Sequence, residues 1–148
     1  MNGRNSIEHD MQVQLINDCN VLFGYKYREL LIEIDKLGFV APIFSVPNSG
    51  FGILAGKEKD KNLIYRVISY LRKEGLRSGV PDLVLPVPAC GYHGLFIELK
   101  QGKNKPSDNQ LRWHILLSYL GYRVVVCYSK ADAINLIIEY MKGYKKHE

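Results

Sequence analysis

The chain has 148 residues, the size of one domain at about 100–200 residues per domain. Its composition is 47% apolar and 24% charged, which excludes a wholly disordered or collagen-like chain. Lysine and arginine total 20 against 15 aspartate and glutamate, and the net charge of +5 favours a polyanionic partner such as nucleic acid. No apolar run reaches the ~18–20 residues needed to cross a bilayer, so no membrane span or signal peptide is predicted.

The chain starts with a predicted helix that begins near Asn5 or Ser6. Apolar residues recur at i+4 along it and make one stripe: Met11, Leu15, Cys19 and Leu22. Gly24 interrupts this helix. Residues Tyr25–Leu37 predict a second helix, which ends at Gly38.

A strand is predicted over Phe39–Pro47, where the sequence Pro-Asn-Ser-Gly signals a turn. Residues Gly52–Asn62 predict an exposed loop, because they include two glycines and the charged run Lys57–Lys61. The remaining elements are a helix over Leu63–Glu74 stopped by Gly75, strands over Asp82–Pro86 and Gly94–Lys100, a helix from its cap Ser107 to about Leu120, a strand over Tyr122–Tyr128, and a last helix from its cap Ser129 through Met141. This order predicts a small α/β domain with a mixed central sheet flanked by helices.

The two central strands divide into an apolar face and a polar face. Glu98 and Lys100 are two residues apart and share a face. If the strands pair as a hairpin with Pro86 opposite Gly94, Asp82 falls opposite Glu98, with Cβ atoms ~4.5–5.5 Å apart. The other face is then purely apolar: Leu83, Leu85, Leu95, Ile97 and Leu99.

Two carboxylates this close repel each other unless a cation neutralises them. Oxygen ligands suit Mg²⁺ or Mn²⁺, and Mg²⁺ often takes further oxygens from a phosphate. Lys100 could orient or deprotonate an attacking water, or balance charge on the phosphorus. The set serves metal-assisted phosphodiester hydrolysis. The plainer alternative is a turn at Pro-Asp followed by a solvated strand face.

The cysteines and histidines add no metal site. The three cysteines are far apart and form no CxxC pair, which predicts reduced thiols and a cytoplasmic location: Cys19, Cys90 and Cys127. The four histidines show no ligand spacing, and none is assigned to a metal: His9, His93, His114 and His147.

The segments Glu74–Leu83 (EGLRSGVPDL) and Gly94–Lys100 (GLFIELK) resemble the VRR-NUC (virus-type replication-repair nuclease) family of the PD-(D/E)XK nuclease superfamily, in its stand-alone phage form. The similarity continues at Ser107, Gln110 and the Gly-Tyr pair before the last strand, and upstream at Val-Pro-Asn-Ser-Gly. It covers nearly the whole chain, which implies one restriction-endonuclease-like nuclease domain over residues 1–148.

The resemblance also implies a set of site residues. The implied metal ligands for Mg²⁺ or Mn²⁺ are Glu8, Asp82, Glu98 and the backbone carbonyl of Leu99. Lys100 would be the catalytic lysine, with Gln110 close by. For compact viral members the resemblance implies homodimers that cut branched DNA such as four-way (Holliday) junctions. A dimer is physically sensible, because symmetric cleavage of a junction needs two sites related by a two-fold axis.

Some of these residues have a second interpretation. Asn5 and Glu8 form an N-x-x-E capping box, and Ser107 and Gln110 form an S-x-x-Q capping box. Gln110, near a helix N-terminus, could also face a phosphate. Three basic residues near the strand ends are candidates for binding DNA phosphates: Arg77, Lys103 and Lys105. The alternative is that they belong to ordinary solvated loops. Tyr92, in the loop Pro86–His93, is a further candidate for contacting DNA. That loop is longer than a tight hairpin needs.

Three functions remain open from the sequence. The first is a metal-dependent DNA endonuclease selective for branched DNA. The second is a non-catalytic module that binds branched DNA on the same fold, against which the intact Asp82, Glu98 and Lys100 argue. The third is a flap-cutting or less selective nuclease.

Overall fold

The computed structural model describes residues 3–26, 41–46 and 61–145. Their sheet has the order β1-β2-β3-β4, with strands β1 Phe44–Ser45, β2 Leu83–Leu85, β3 Leu95–Leu99 and β4 Arg123–Cys127. β1, β2 and β3 pair antiparallel, whereas β3 and β4 pair parallel. The predicted mixed α/β sheet is confirmed.

The described helices are α1 Gly3–Lys26, α2 Lys61–Lys73, α3 Asp108–Tyr119 and α4 Lys130–Met141. The caps predicted for α3 and α4 both form. Ser107 Oγ accepts a hydrogen bond from Gln110 N, and Ser129 Oγ accepts one from Asp132 N. The bounds of these two helices follow from their caps, as the sequence predicted.

The first helix differs from its prediction at both ends. It begins at Gly3 rather than near Asn5 or Ser6, and it continues through Gly24 to Lys26. A glycine costs a helix only about 1 kcal/mol relative to alanine, and the fully buried Phe23 beside it offsets that cost. The rest of the predicted second helix, the turn at 47–50 and residues 52–60 of the predicted loop lie outside the described residues. The last two residues predicted for that loop, Lys61 and Asn62, instead belong to α2.

One face of the sheet is the hydrophobic core. The five apolar side chains predicted for this face are at most 1% exposed: Leu83, Leu85, Leu95, Ile97 and Leu99. They pack against apolar residues of α1 and α4, which include Leu15, Cys19, Phe23, Ile137 and Tyr140. Lys130 and Asp18 join α4 to α1 by an ion pair of 2.8 Å. Helices α1 and α4 therefore cover the apolar face and leave the polar face to α3.

Helix α3 packs on β4 over the face that carries Glu98. Two contacts fix its first turns to the segment before β2. Trp113 Nε1 donates to Ser78 O at 3.1 Å. A Cβ atom on Gly79 would lie 2.7 Å from the backbone carbon of Asn109. The segment that leads to Asp82 and the start of α3 are therefore in direct contact.

The loop between β2 and β3 contains a tight turn of its own. Ala89 and Tyr92 exchange backbone hydrogen bonds around a tight turn, in which Cys90 and Gly91 both have positive φ. Tyr140 Oη donates to Val87 O at 2.8 Å and ties the loop to α4. Tyr92 thus lies at the opposite end of the hairpin from Asp82 and Glu98.

The cysteines are free thiols, as predicted, with Cys19 and Cys127 buried and Cys90 exposed. Within the described ranges, no helix is long and apolar enough to span a membrane.

We expect Gly79→Ala to lower the free energy of unfolding by about 3 kcal/mol, because the new Cβ adds a clash with Asn109 to the strain of a φ of +90°. Gly75→Ala is the matched control. Gly75 also has a positive φ but no neighbour within 4 Å, so we expect a loss of only about 1 kcal/mol. Urea unfolding of both variants measures the difference. Equal losses would show that the contact between Gly79 and Asn109 is not tight.

Candidate active site

The register of β2 and β3 brings two carboxylates together. Leu83 pairs with Ile97 and Leu85 with Leu95. This is the predicted register, and one residue further along it Asp82 lies opposite Glu98. Because side chains alternate along a strand, both carboxylates lie on the face opposite the apolar core.

Asp82 is held by the backbone of the neighbouring strand. Its Oδ2 accepts a hydrogen bond from the N–H of Leu99 at 2.8 Å. Burial raises the pKa of Asp82 above its ordinary value, the Leu99 N–H and the charge of Lys100 oppose this, and the charge of Glu8 adds to it. The carboxylate is therefore fixed in position and is harder to ionise than one in water.

Glu98 is the one charged residue among the buried side chains of the described chain, and it is 0% exposed. Its Oε1 accepts hydrogen bonds from Lys100 Nζ, at 2.5 Å, and from Gln110 Nε2. Its Oε2 is buried and has no partner. Burial and the nearby Asp82 raise the pKa of Glu98 from its ordinary 4.5 to about 7, although Lys100 opposes the shift.

Gln110 serves both of the roles that its sequence allows. Its side-chain oxygen accepts a hydrogen bond from Ser107 N at 2.9 Å, which completes the capping box of α3. Its side-chain nitrogen donates to Glu98. One amide thus closes the helix start with its oxygen and contacts the site with its nitrogen.

Glu8 does not act as a helix cap. Because α1 already begins at Gly3, Asn5 is not at the N-cap position. Instead Glu8 Oε1 accepts a hydrogen bond from the N–H of Gln101 at 3.2 Å, just after β3. Its charge raises the pKa of both Asp82 and Glu98, so α1 brings a third carboxylate to this end of the sheet.

The predicted basic residues are all exposed and lie in the segments next to the carboxylates. Arg77 Nη1 donates to Arg72 O at 3.2 Å, which fixes the guanidinium near the end of α2. Lys103 and Lys105 lie in the connector between β3 and α3. The cations therefore remain accessible to a ligand from solvent.

The donor atoms fit a hard divalent cation. In the described part of the chain, no three His, Cys, Asp or Glu side chains meet as a preformed metal cage. Mg²⁺ does not require one, because it commonly takes one or two carboxylates and keeps several waters. Glu98 Oε2 is a buried acceptor without a donor, next to the half-buried carboxylate of Asp82. Asp82 and Glu98 thus form a site at which a bound cation would stabilise both carboxylates.

The sequence pattern assigned His114 no role in the site. This residue lies one helical turn after Gln110 on α3, so the two share a face of the helix. Its Nε2 is buried and has no partner. Burial and the charge of Lys100 lower the pKa of His114. The i+4 spacing from Gln110 was the available signal, but it became informative only when the Gln110–Glu98 contact was known.

Comparison with known proteins shows the family of the chain. The model of the VRR-NUC domain family matches residues 32–131. The chain belongs to the VRR-NUC family. Asp82, Glu98, Lys100 and Gln110 lie inside the matched segment, whereas Glu8 precedes it. Membership of a nuclease family implies a nucleic-acid substrate.

A solved structure described as a VRR_NUC domain protein is 21% identical in sequence to this chain. The similarity covers 91% of this chain and 88% of that one, with a TM-score of 0.62. It therefore supports the nuclease fold. No curated protein matches the chain significantly.

The free energy of unfolding of the metal-free protein should fall as the pH rises. The fall is expected in the pH range in which Glu98 is protonated in the folded state but ionised in the unfolded state. The unfolded carboxyl ionises near 4.5 and the folded one near 7, so the folded state binds more protons in between. Between these values we expect wild type to lose roughly 3 kcal/mol relative to Glu98→Gln, which has no proton to lose.

Urea unfolding in EDTA across this pH range measures the effect. Glu139→Gln is the control, because it removes an exposed carboxylate with the same change of charge. If wild type and Glu98→Gln lost stability in parallel, Glu98 would not be the group that titrates.

Proposed function

We propose that this protein is a metal-dependent endonuclease that hydrolyses phosphodiester bonds in branched DNA of the four-way-junction type. The observation that carries the proposal is the pairing of Asp82 with Glu98 on adjacent strands, with Lys100 on one oxygen of Glu98 and no partner on the other. The large majority of buried side-chain polar atoms in proteins have a hydrogen-bond partner, so a buried carboxylate oxygen without one favours a binding role. Membership of the VRR-NUC family supports the nuclease reaction independently.

Asp82 and Glu98, with the backbone carbonyl of Leu99 and with Glu8, would hold the Mg²⁺ or Mn²⁺ ion. Bound there, the ion would supply charge neutralisation for the scissile phosphate and activation of water. The Leu99 N–H orients Asp82 for this task. Gln110 and Lys100 both donate to Oε1 of Glu98, which leaves Oε2 as the oxygen available to the ion.

Lys100 is the group best placed to act on the reacting atoms. Its ammonium lies on Glu98, and its side chain is only 11% exposed. A cation held there would orient an attacking water and stabilise the negative charge that develops on the phosphoryl oxygens. Both tasks depend on its position, which the Glu98 carboxylate sets in the metal-free protein.

The substrate preference is the finer part of the proposal. The basic side chains of Arg77, Lys103 and Lys105 would bind the backbone phosphates, which fix position but carry no sequence information. We take residues 1–148 as one nuclease domain. We propose that DNA shape is the property recognised, because contacts to backbone phosphates do not read the base sequence. A homodimer would place two such sites on the two symmetric strands of a junction.

We expect metal-dependent cleavage of a labelled four-way junction, faster than cleavage of linear duplex or a flap. Asp82→Asn, Glu98→Gln and Lys100→Ala should each lower kcat by about a hundredfold or more, because each removes a group that acts on the reacting atoms. Lys142→Ala is the matched control. It removes an exposed lysine, also paired with a glutamate, at the far end of α4.

Single-turnover assays in Mg²⁺, Mn²⁺ and EDTA distinguish the outcomes. Equal cutting of junction and duplex would keep the chemistry and remove the selectivity. Tight junction binding without cutting in either metal would favour the non-catalytic module. Full activity in a folded Lys100→Ala variant would overturn the site.

The basic residues give a separate prediction for DNA binding. Lys103→Ala and Lys105→Ala should each weaken binding to junctions of any sequence, and reduce the slope of log affinity against log salt by about 1. Fluorescence anisotropy in EDTA measures this without cleavage. A slope equal to that of the Lys142→Ala control would mean that the connector does not contact phosphates.

A further inference from the structure

His114 is a half-buried side chain on α3 whose Nε2 atom is buried, and the mechanism above does not use it. The described chain has buried side-chain atoms without a hydrogen-bond partner at Glu98 Oε2, Gln101 Oε1 and His114 Nε2. Glu98 and Gln101 lie at or just after the end of β3, and α3 covers this region. The unmet polar groups are therefore near the site rather than scattered through the core.

The place of His114 on α3 follows from that of Gln110. Residues four apart on a helix have Cβ atoms ~5–6 Å apart on one face. Gln110 Nε2 and Lys100 Nζ donate to the same oxygen of Glu98. His114 is thus one turn along the helix from a side chain that shares an acceptor with Lys100. The charge of Lys100 acts on the imidazole, which is consistent with this short separation.

The chemistry of the two groups is complementary. A lysine ammonium has three donors and no acceptor, and the neutral imidazole has one nitrogen that accepts. In the structure Glu98 Oε1 is the acceptor of Lys100. If Glu98 commits its lone pairs and charge to a cation, its hold on the ammonium weakens, and Lys100 then needs another acceptor.

We propose that His114 is a positioning residue for Lys100, whose ammonium donates to His114 Nε2 once Glu98 is committed to a metal ion. This inference rests on the proposed function, because it assigns Glu98 to a metal. It assigns His114 no contact with the substrate. The imidazole would keep the ammonium beside the reacting phosphate instead of letting it turn into solvent.

The direct test is nitrogen NMR of the histidine rings in the full chain, without DNA, during titration with Mg²⁺. His114→Leu assigns the His114 signals, and the backbone amide of Leu99 reports on metal binding. We expect Mg²⁺ to shift the Nε2 signal in the direction of a hydrogen-bonded acceptor. The shift should be absent in Lys100→Ala, although the Leu99 amide still responds.

Two failures can be told apart. A response at Leu99 without a Lys100-dependent change at His114 Nε2 would overturn the role of His114 and leave the proposed function intact. No response at Leu99 or Glu98 in Mg²⁺ or Mn²⁺ would count against the metal site, and so against both proposals.

Kinetics separate positioning from packing. His114→Leu removes a buried unpaired nitrogen, so we expect an equal or higher melting temperature. We also expect kcat to fall about tenfold to a hundredfold with little change in KM, because Lys100 loses its placement. His114→Gln, which keeps an acceptor, should recover part of kcat. His93→Leu is the control, since His93 precedes β3 at the end remote from Lys100. Unchanged kcat in a stable His114→Leu variant would overturn the proposal.

Discussion

The buried carboxylate of Glu98 determines much of the arrangement around it. A carboxylate removed from water needs hydrogen-bond donors, or it gives up its charge. Lys100, two residues along the same strand, supplies one donor, and Gln110 on α3 supplies another. The second contact joins the start of α3 to β3. The placement of a whole helix is therefore coupled to the placement of one oxygen atom.

One residue makes both contacts, because the side-chain amide of Gln110 has an acceptor oxygen and a donor nitrogen. Its oxygen closes the capping box with Ser107, and its nitrogen contacts Glu98. Any shift of the helix start would therefore disturb both the cap and the site. The close approach of Gly79 to Asn109 fixes the same turn of α3 against the segment that leads to Asp82. The cap of α3 and the geometry of the site thus depend on the same contacts.

The strand pair could be predicted from the sequence because its alternation is unambiguous. Only one register places five apolar side chains on one face and Asp82 opposite Glu98, and a slip of one residue would reverse the faces. The end of α1 could not be predicted in this way. Gly24 is a local signal, whereas the burial of Phe23 that outweighs it depends on packing between helix and sheet. Periodicity does not contain that information.

The same distinction explains His114. Helical spacing alone places it on the face of Gln110, but it does not say whether that face meets solvent, core or a site. Only the packing of α3 on β4 decides this, and it depends on contacts between residues distant in sequence. The role of a residue can be predicted from the sequence when it follows from alternation along a strand. It cannot be predicted in this way when it depends on what a helix face packs against.

The metal-free site works against folding. Burial raises the pKa of both Asp82 and Glu98, so each carboxylate is less favourable as an anion here than in water. Glu98 Oε2 and His114 Nε2 add buried groups without partners. The opposite face of the same strands has no such defect. One face of the sheet is packed with apolar residues, whereas buried polar atoms on the other face lack cations and hydrogen-bond donors. A ligand that binds at this second face can supply them. The unmet requirements of these atoms, more than their residue types, are what mark this end of the sheet as the candidate active site.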